Sequence, residues 1–502
     1  MAQAVSMDVP VWCPASGDRH GVRWSDGTIV DHDPGAQVID LPAGAFAVPG
    51  LIDGHLHLIL GGLGLEMLDL STCTSRAEVE RRVRDRHAGL DAGRWLIAQG
   101  WNEDRWGGEQ PTAAWFDGLD DRHVVAWRMD HHACVVSRSV MARLDLSSTP
   151  DGGEIVRDGS GAPTGLLREA AAWHIAKPAI PAPSVDERRA ALDAAVRHLH
   201  ALGVTGVGSM EYGIDLQHVL APRRHDLPLR MAVTLLDREW PLDVTPGVTF
   251  EGGDRLWVVG YKSFVDGTLG SRTARMHEPY ADEPSTRGLW TELAADGLLR
   301  DWAEHVLANG LSPSMHAIGD AAFTAALDAL ERDDRRIGRI EHAQTACRSD
   351  IARCADRIIS MQPLHKADDA PSAPSRLGAS RMDRFFRFRD FADAGARLVF
   401  GSDWPIVTCC PLAGMRAAIT GIDRTGAIVA PEQSLTASEA LLAYTLDAAK
   451  ALRFPEGCGT LQHGAPADLT ILDRDPRTAD WVHAPPRVLM TVVAGEIVHR
   501  AI

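Results

Sequence analysis

From about residue 186 onward, helical segments alternate with short apolar runs that each end in a polar or charged residue. This alternation predicts repeated strand-helix units, and it restricts the fold more than any other feature of the chain. One helix is clearly delimited, because Ser184-Val185-Asp186-Glu187 forms a capping box and Gly203 follows the last helically spaced apolar residue.

Eight segments are predicted to be strands, and enough residues separate each from the next for a crossover helix. They are residues 47–58, 204–208, 229–236, 256–264, 311–316, 339–342, 358–362 and 397–401. Eight such units predict an α/β fold of the (β/α)8 TIM-like barrel type, with functional side chains at the C-terminal ends of the strands. A doubly wound open sheet is the alternative.

A large insertion, residues 65–185, separates the first two predicted strands. It contains a helix that starts at the Ser75-x-x-Glu78 box and five of the fourteen tryptophans, Trp95, Trp101, Trp106, Trp115 and Trp127. An insertion after a first barrel strand is expected to lie over the barrel mouth, so we interpret it as a candidate lid and substrate wall. Alternatively, the tryptophans simply pack the insertion against the barrel.

The two chain ends are rich in turns and short strands, and neither is long enough to bury a face of its own. We therefore predict that residues 1–50 and 453–502 combine into a small composite β-sandwich. Residues 51–452 would then form the barrel together with its insertion.

Composition excludes several classes of function. The formal net charge is −17 and the basic residues are scattered, so neither nucleic acid nor a membrane surface is an expected partner. The eight cysteines include no C-x-x-C pair, and no apolar stretch is long enough to span a membrane. We expect a cytoplasmic protein that acts on a small-molecule substrate, and the sequence leaves a homodimer open.

Two H-x-H sequences carry opposite predictions. His55 and His57 follow a predicted strand, where residues i and i+2 point to the same side, so their imidazoles could bind one metal ion. His198 and His200 have the same spacing inside the predicted helix that begins near Ser184, where the two side chains diverge. Only the first pair is therefore a candidate metal site.

Four further residues lie at or near the ends of later predicted strands: Lys262, His316, His342 and Asp403. Each histidine taken singly is more often a satisfied core residue, and a buried lysine is more often paired with an acid. Together with His55 and His57 on one barrel face, however, these residues indicate a metal centre.

Several motifs support a specific resemblance. Four of them are Pro49-Gly50-Leu51-Ile52-Asp53-Gly54-His55-Leu56-His57, His316-Ala317-Ile318-Gly319-Asp320, Arg339-Ile340-Glu341-His342-Ala343-Gln344 and Gly401-Ser402-Asp403-Trp404-Pro405. They resemble the amidohydrolase superfamily. The stretch from Tyr261 to Ala274 is similar to the amidohydrolase family 3 branch, which contains YtcJ-like proteins and N-substituted formamide deformylases.

This resemblance implies a set of ligands and catalytic groups. His55 and His57 would bind one divalent metal, His316 and His342 a second, and a carbamylated Lys262 would bridge them. The metal would be Zn²⁺, as one or two ions, and Asp403 would lie beside the attacking water. His132 and His365 would face the substrate, although His131 stands where the branch usually has glycine.

The implied reaction is hydrolysis of an amide-like C–N bond, such as an N-formyl or N-acyl bond, with Asp403 as general base. Arg272 would either hold a substrate carboxylate or fix its own loop. Two alternatives remain open at this point. The same residues could serve a metal-dependent lyase or isomerase, or the barrel could be a binding or regulatory module without catalysis.

Overall fold

The computed structural model describes residues 4–31, 35–90, 93–119, 122–128, 133–150, 153–169, 171–236, 240–242 and 255–501. The chain divides into two compact units, residues 1–61 with 192–502 and residues 62–191. No helix in these ranges is long and apolar enough to cross a membrane.

The first unit contains the predicted parallel barrel. Its strands, in chain order and in their order around the sheet, are Leu51–Leu56, Val204–Glu211, Arg230–Leu235, Leu256–Phe264, Ser312–Ala317, Arg339–His342, Ile358–Met361 and Arg397–Phe400. We call them barrel strands one to eight. The carbonyl of His55 accepts hydrogen bonds from the backbone N–H groups of Ser402 and Asp403, at 3.1 and 2.6 Å. These bonds join the C-terminal ends of the first and last strands.

The predicted strand at residues 47–58 is wrong as a single element. It is two strands, Phe46–Pro49 and Leu51–Leu56, which belong to different sheets. Gly50 separates them, and a Cβ there would lie 2.1 Å from the Thr205 hydroxyl oxygen. The chain therefore changes sheets where only glycine fits against the neighbouring strand.

Strands from both chain ends share one sheet. They are Val5–Cys13, Gly17–Ser25, Thr28–Ile29, Gln37–Val38, Phe46–Pro49, Leu469–Leu472, Val488–Val493 and Glu496–Arg500. Phe46–Pro49 pairs antiparallel with Leu469–Leu472, which links the two ends through backbone hydrogen bonds. Apolar residues of six of these strands, all except Gln37–Val38 and Glu496–Arg500, lie in one core cluster. Their arrangement as a two-layered sandwich stays a prediction.

The second unit contains a sheet that the sequence did not predict. Its strands are Leu68–Asp69, Leu96–Trp101, Val124–Arg128, Ala133–Val136, Gly153–Arg157 and Pro163–Glu169. Trp101, Trp115 and Trp127 are buried in the core clusters of this unit, and Trp95 and Trp106 pack against the same clusters. All five tryptophans thus contribute to packing within the insertion itself.

Ten α-helices of six or more residues lie in the described part of the chain. They are Leu58–Glu66, Arg76–Ala88, Val185–Ala201, Leu299–Ala308, Asp320–Ala329, Pro363–Asp369, Phe388–Asp393, Pro411–Thr420, Ala437–Ala443 and Leu446–Ala451. Both predicted helix starts are confirmed. The Ser184 hydroxyl accepts from the Glu187 N–H at 3.2 Å, and the Ser75 hydroxyl accepts from the Glu78 N–H at 3.3 Å.

Candidate metal centre

The first H-x-H pair meets a carboxylate from the other end of the barrel. Nε2 of His55 and Nε2 of His57 lie 3.4 and 3.2 Å from Oδ1 of Asp403. His55 is 1% exposed, whereas the His57 side chain is 20% exposed. Because backbone hydrogen bonds join strand one to the segment after strand eight, residues almost 350 positions apart in sequence share one site.

His342 and His316 complete the cluster. Their ring centroids lie 4.5 Å apart, and the ring of His342 lies 5.1 Å from that of His55. The ligand atoms of His55, His342 and Asp403 all lie within 4.8 Å of one another, which is a spacing that could hold one metal ion. The cluster thus collects side chains from strands one, five and six and from the segment after strand eight.

Each of three cluster histidines has a buried partner on its other ring nitrogen. Nδ1 of His55 lies 2.7 Å from Glu341, Nδ1 of His316 lies 3.1 Å from Asp266, and Nδ1 of His342 lies 2.9 Å from the Gln362 carbonyl oxygen. A proton on Nδ1 leaves the Nε2 lone pair for a metal ion. No role was predicted for these partners, although Glu341 and Asp266 lie inside the motifs that carry the resemblance.

Glu341 connects the cluster to a buried ion pair inside the barrel. Nε of Arg339 donates to it at 2.8 Å, and the Ser314 hydroxyl donates at 2.6 Å. Burial alone would raise the pKa of Glu341, but Arg339 and His55 outweigh burial and hold this pKa well below its usual range. A carboxylate is therefore maintained behind His55.

Backbone conformation breaks the regular alternation of strand six. Glu341 and His342 are neighbours in sequence, and both approach His55, which a regular strand would not allow. His342 has a φ of +74° and Asp403 a φ of +59°, both in the left-handed region. Such conformations cost about 1–3 kcal/mol each, so they persist only where the surrounding structure holds them in place. They are more frequent at functional sites than elsewhere.

Lys262 lies inside the barrel near the cluster. Its side chain is 2% exposed, and its nitrogen lies 5.3 Å from the centre of the Phe264 ring. Burial, the neighbouring His316 and the Lys262 ammonium together hold the pKa of His342 well below its usual range. The charge of Lys262 therefore acts directly on the histidines of the cluster.

Of the three residues expected to act on substrate, two are described. Burial would raise the pKa of Asp403, but the hydrogen bonds and charges of His55 and His57 keep it well below its usual range. Nε2 of His365 lies 3.9 Å from Oδ2 of Asp403, and it has no hydrogen-bond partner among the described residues. His132 lies outside the described residues.

Three charged residues of the motifs and of the loop after strand four have partners other than the side chains of the cluster. The Asp53 carboxylate accepts hydrogen bonds from the backbone N–H groups of His55 and Ser402. Asp320 accepts from the His277 backbone and forms an ion pair with Arg384. Arg272 binds Asp282 through two nitrogens, at 3.1 and 2.9 Å, so its contacts favour the role of fixing its loop.

The donor set fits a divalent metal ion. Three imidazoles are oriented by partners on Nδ1, a carboxylate lies beside two of them, and the cluster is largely buried. Nε2 of Gln362 and Nε2 of His365, both buried near the cluster, have no hydrogen-bond partner within the described ranges. Buried polar atoms are rarely left this way, so they indicate a bound ion, water or substrate.

A parallel eight-stranded barrel with a cluster of candidate metal ligands at the C-terminal ends of its strands is typical of metal-dependent enzymes with a TIM-like fold. The sequence model of the amidohydrolase family matches residues 37–499. The chain belongs to this family.

Three curated relatives are similar over most of their length. Protein LONG AFTER FAR-RED 3 of Arabidopsis thaliana is 33% identical, and the match covers 90% of this chain and 82% of that protein. Putative amidohydrolase YtcJ of Bacillus subtilis is 33% identical, with 91% and 89% covered. N-substituted formamide deformylase of Arthrobacter pascens is 28% identical, with 88% and 86% covered.

A solved structure has the same fold. It is an uncharacterized metal-dependent hydrolase from Pyrococcus furiosus, which superposes with a TM-score of 0.77 at 28% identity. The match covers 95% of this chain and all of the other.

Proposed function

We propose that this protein is a metal-dependent hydrolase that cleaves an amide-like C–N bond of a small, partly apolar substrate. The observation that carries the proposal is the convergence of His55, His342 and Asp403, whose ligand atoms lie within 4.8 Å of one another. The similarity to the metal-dependent hydrolase from Pyrococcus furiosus supports metal dependence, and the similarity to the N-substituted formamide deformylase of Arthrobacter pascens supports N-formyl substrates.

The proposed ligands are His55, His57, Lys262, His316, His342 and Asp403, and Zn²⁺ suits this mixture of imidazole and carboxylate donors. A bound divalent ion would polarise a carbonyl group and lower the pKa of water to about 7. Glu341, Asp266 and Gln362 would orient the imidazoles, a role whose loss usually costs about 10–100-fold in metal affinity.

Lys262 would bridge two ions as a carbamate. In this modification the ammonium first loses a proton, the neutral amine then attacks CO₂ to form a C–N bond, and a second proton leaves. A cation thus becomes an anion that divalent metal ions can neutralise. The 2% exposure of Lys262, whose charge acts on His55 and His342, supports this assignment. Intact-protein mass spectrometry and ¹³C NMR after exposure to ¹³C-bicarbonate would detect the carbamate, and a metal content of one ion per chain would contradict the bridged pair.

Asp403 would act as the general base. Its low pKa keeps it ionised at neutral pH, so it can accept a proton from water and later deliver it to the leaving nitrogen. Such a proton shuttle contributes about 10²–10⁴-fold to the rate. His365, 3.9 Å from this carboxylate, and His132 would contact the substrate carbonyl as its oxygen gains charge.

A hydrolysis screen with Zn²⁺-loaded protein tests the proposal. We expect amine release from N-formyl, N-acyl or cyclic amides, loss of activity on chelation, and recovery when Zn²⁺ is returned. Asp403→Asn should lower turnover about 10²-fold or more, whereas Asp423→Asn, which affects a turn closed by Thr425, should not. Turnover of hydroxy acids without amine release from any amide would instead support a lyase.

A further inference from the structure

A second polar group, next to the metal cluster, has no role in the reaction derived above. It consists of Gln344, which follows barrel strand six, and Asp369, at the end of the helix Pro363–Asp369. His365 precedes Asp369 by four residues on the same helix, so the two side chains lie on the same helix face. This group therefore adjoins the site through His365.

Gln344 has one amide atom without a partner. The side chain is 3% exposed, and its Nε2 lies 3.5 Å from Nδ1 of His365. Its amide also lies beside the Asp369 carboxyl group. Its Oε1 atom, in contrast, has no hydrogen-bond partner in the described part of the chain. A buried carbonyl oxygen without a hydrogen-bond donor is unfavourable, so a ligand that donates an N–H group would satisfy it.

The surroundings of Asp369 disfavour the charged form of its carboxyl group. Burial, with Asp368 next to it, raises the pKa of Asp369 to about 6, against which Gln344 acts only in part. The carboxyl group is therefore ionised at neutral pH but lacks a cationic neighbour among the interactions that the described residues provide. A ligand cation would supply that neighbour.

We propose that Gln344 and Asp369 form a subsite for a cationic N–H-bearing group of the substrate, such as an ammonium, amidinium or guanidinium. The N–H groups would donate to Oε1 of Gln344 and to the Asp369 carboxylate. This inference rests on the proposed function, because it specifies the substrate class of the same site. The preferred substrates would be small C–N compounds that carry a positive charge near the scissile bond.

Calorimetric titration with two nearly isosteric probes separates the two residues. Phenylguanidinium and phenylurea both donate N–H groups, but only the first is charged at about pH 8. We expect Zn²⁺-loaded protein to bind phenylguanidinium about tenfold or more tightly than phenylurea. Gln344→Met should weaken both probes by about fivefold, the usual effect of one lost hydrogen bond.

The charge is tested with adjacent variants. Asp369→Asn should abolish the preference for phenylguanidinium and leave phenylurea binding within about twofold. Asp368→Asn removes the same charge from the neighbouring, exposed residue and should retain the preference. Equal binding of the two probes by the unmodified protein would overturn the subsite, as would equal effects of the two aspartate variants.

Turnover is not needed for these titrations, so they are independent of the proposed reaction. Failure of every amide to react would reject the hydrolase, whereas loss of the probe preference would reject the subsite alone. Because Asp369 is only partly buried, its variant tests the charge even if Gln344→Met does not fold.

Discussion

The two H-x-H sequences of this chain differ in where their side chains lie. His55 lies near the end of strand one and His57 directly follows that strand, and their Nε2 atoms lie within 3.4 Å of the same Asp403 oxygen. His198 and His200 lie in the helix Val185–Ala201, where side chains two residues apart diverge by about 200°. An identical spacing thus produces a shared site only when the backbone repeats every two residues.

The partners of the second pair show what its divergence means. The ring of His198 stacks on Trp404, with centroids 5.7 Å apart. His200 instead is 5% exposed, and its Nε2 lies 2.8 Å from the carbonyl oxygen of Pro228. One imidazole packs against an aromatic ring and the other satisfies a backbone carbonyl, so neither points at a common ion.

The largest expected difference is in metal binding. Replacing His55 and His57 together with glutamine should weaken Zn²⁺ binding by more than about 100-fold, because even losing a supporting partner costs up to that amount. The same double replacement at His198 and His200 should leave the metal content unchanged. Elemental analysis after dialysis measures both, and equal metal loss in the two proteins would refute the distinction.

The next effect distinguishes the partners of the ring nitrogens. Glu341→Gln should lower Zn²⁺ affinity about 10–100-fold, because His55 loses the carboxylate that accepts its Nδ1 proton. Competition with a chelator measures this affinity. Glu439→Gln, which changes a helix N-terminal box closed by Thr436, is the charge-matched control and should have no effect. An unchanged affinity in Glu341→Gln would show that the carboxylate does not support His55.

The pH dependence of stability should report His200. Burial lowers its pKa to about 4, so the folded state favours the neutral ring. The contribution of His200 to the free energy of unfolding is therefore full above the unfolded-state pKa near 6.5 and is lost as the pH falls toward 4. The expected loss is about 2 kcal/mol at pH 5. In His200→Gln the urea unfolding midpoint should shift less between pH 7 and pH 5 than in the unmodified protein. Equal shifts would contradict the assignment.

The smallest expected effect is at His198. His198→Ala should lower the free energy of unfolding by about 1 kcal/mol through loss of the Trp404 stack, without changing Zn²⁺ affinity. Urea titration measures the first quantity and chelator competition the second. Because Trp404 follows Asp403, a fall in Zn²⁺ affinity would show that the helix pair also supports the metal centre.

Much of the barrel could be predicted because its signals are local. Strands Leu256–Phe264 and Arg339–His342 have the predicted bounds, and the other later strands differ by a few residues at their ends. The insertion sheet was missed although two of its five strand pairs, Val124–Arg128 with Ala133–Val136 and Gly153–Arg157 with Pro163–Glu169, are close in sequence. The other three pairs join strands that are more than about 20 residues apart, and such pairing leaves no periodic signal in the sequence.

The sequence by itself determined the strand-helix repeat and indicated the candidate metal ligands, because both follow from side-chain type and from spacing along one segment. Only the tertiary structure decided which groups support them. Glu341 is 286 residues from His55 in the chain and 2.7 Å from its ring, and the joining of the first and last strands brings Asp403 to the same point. Proximity between strands depends on how the whole sheet pairs, so no local pattern records it.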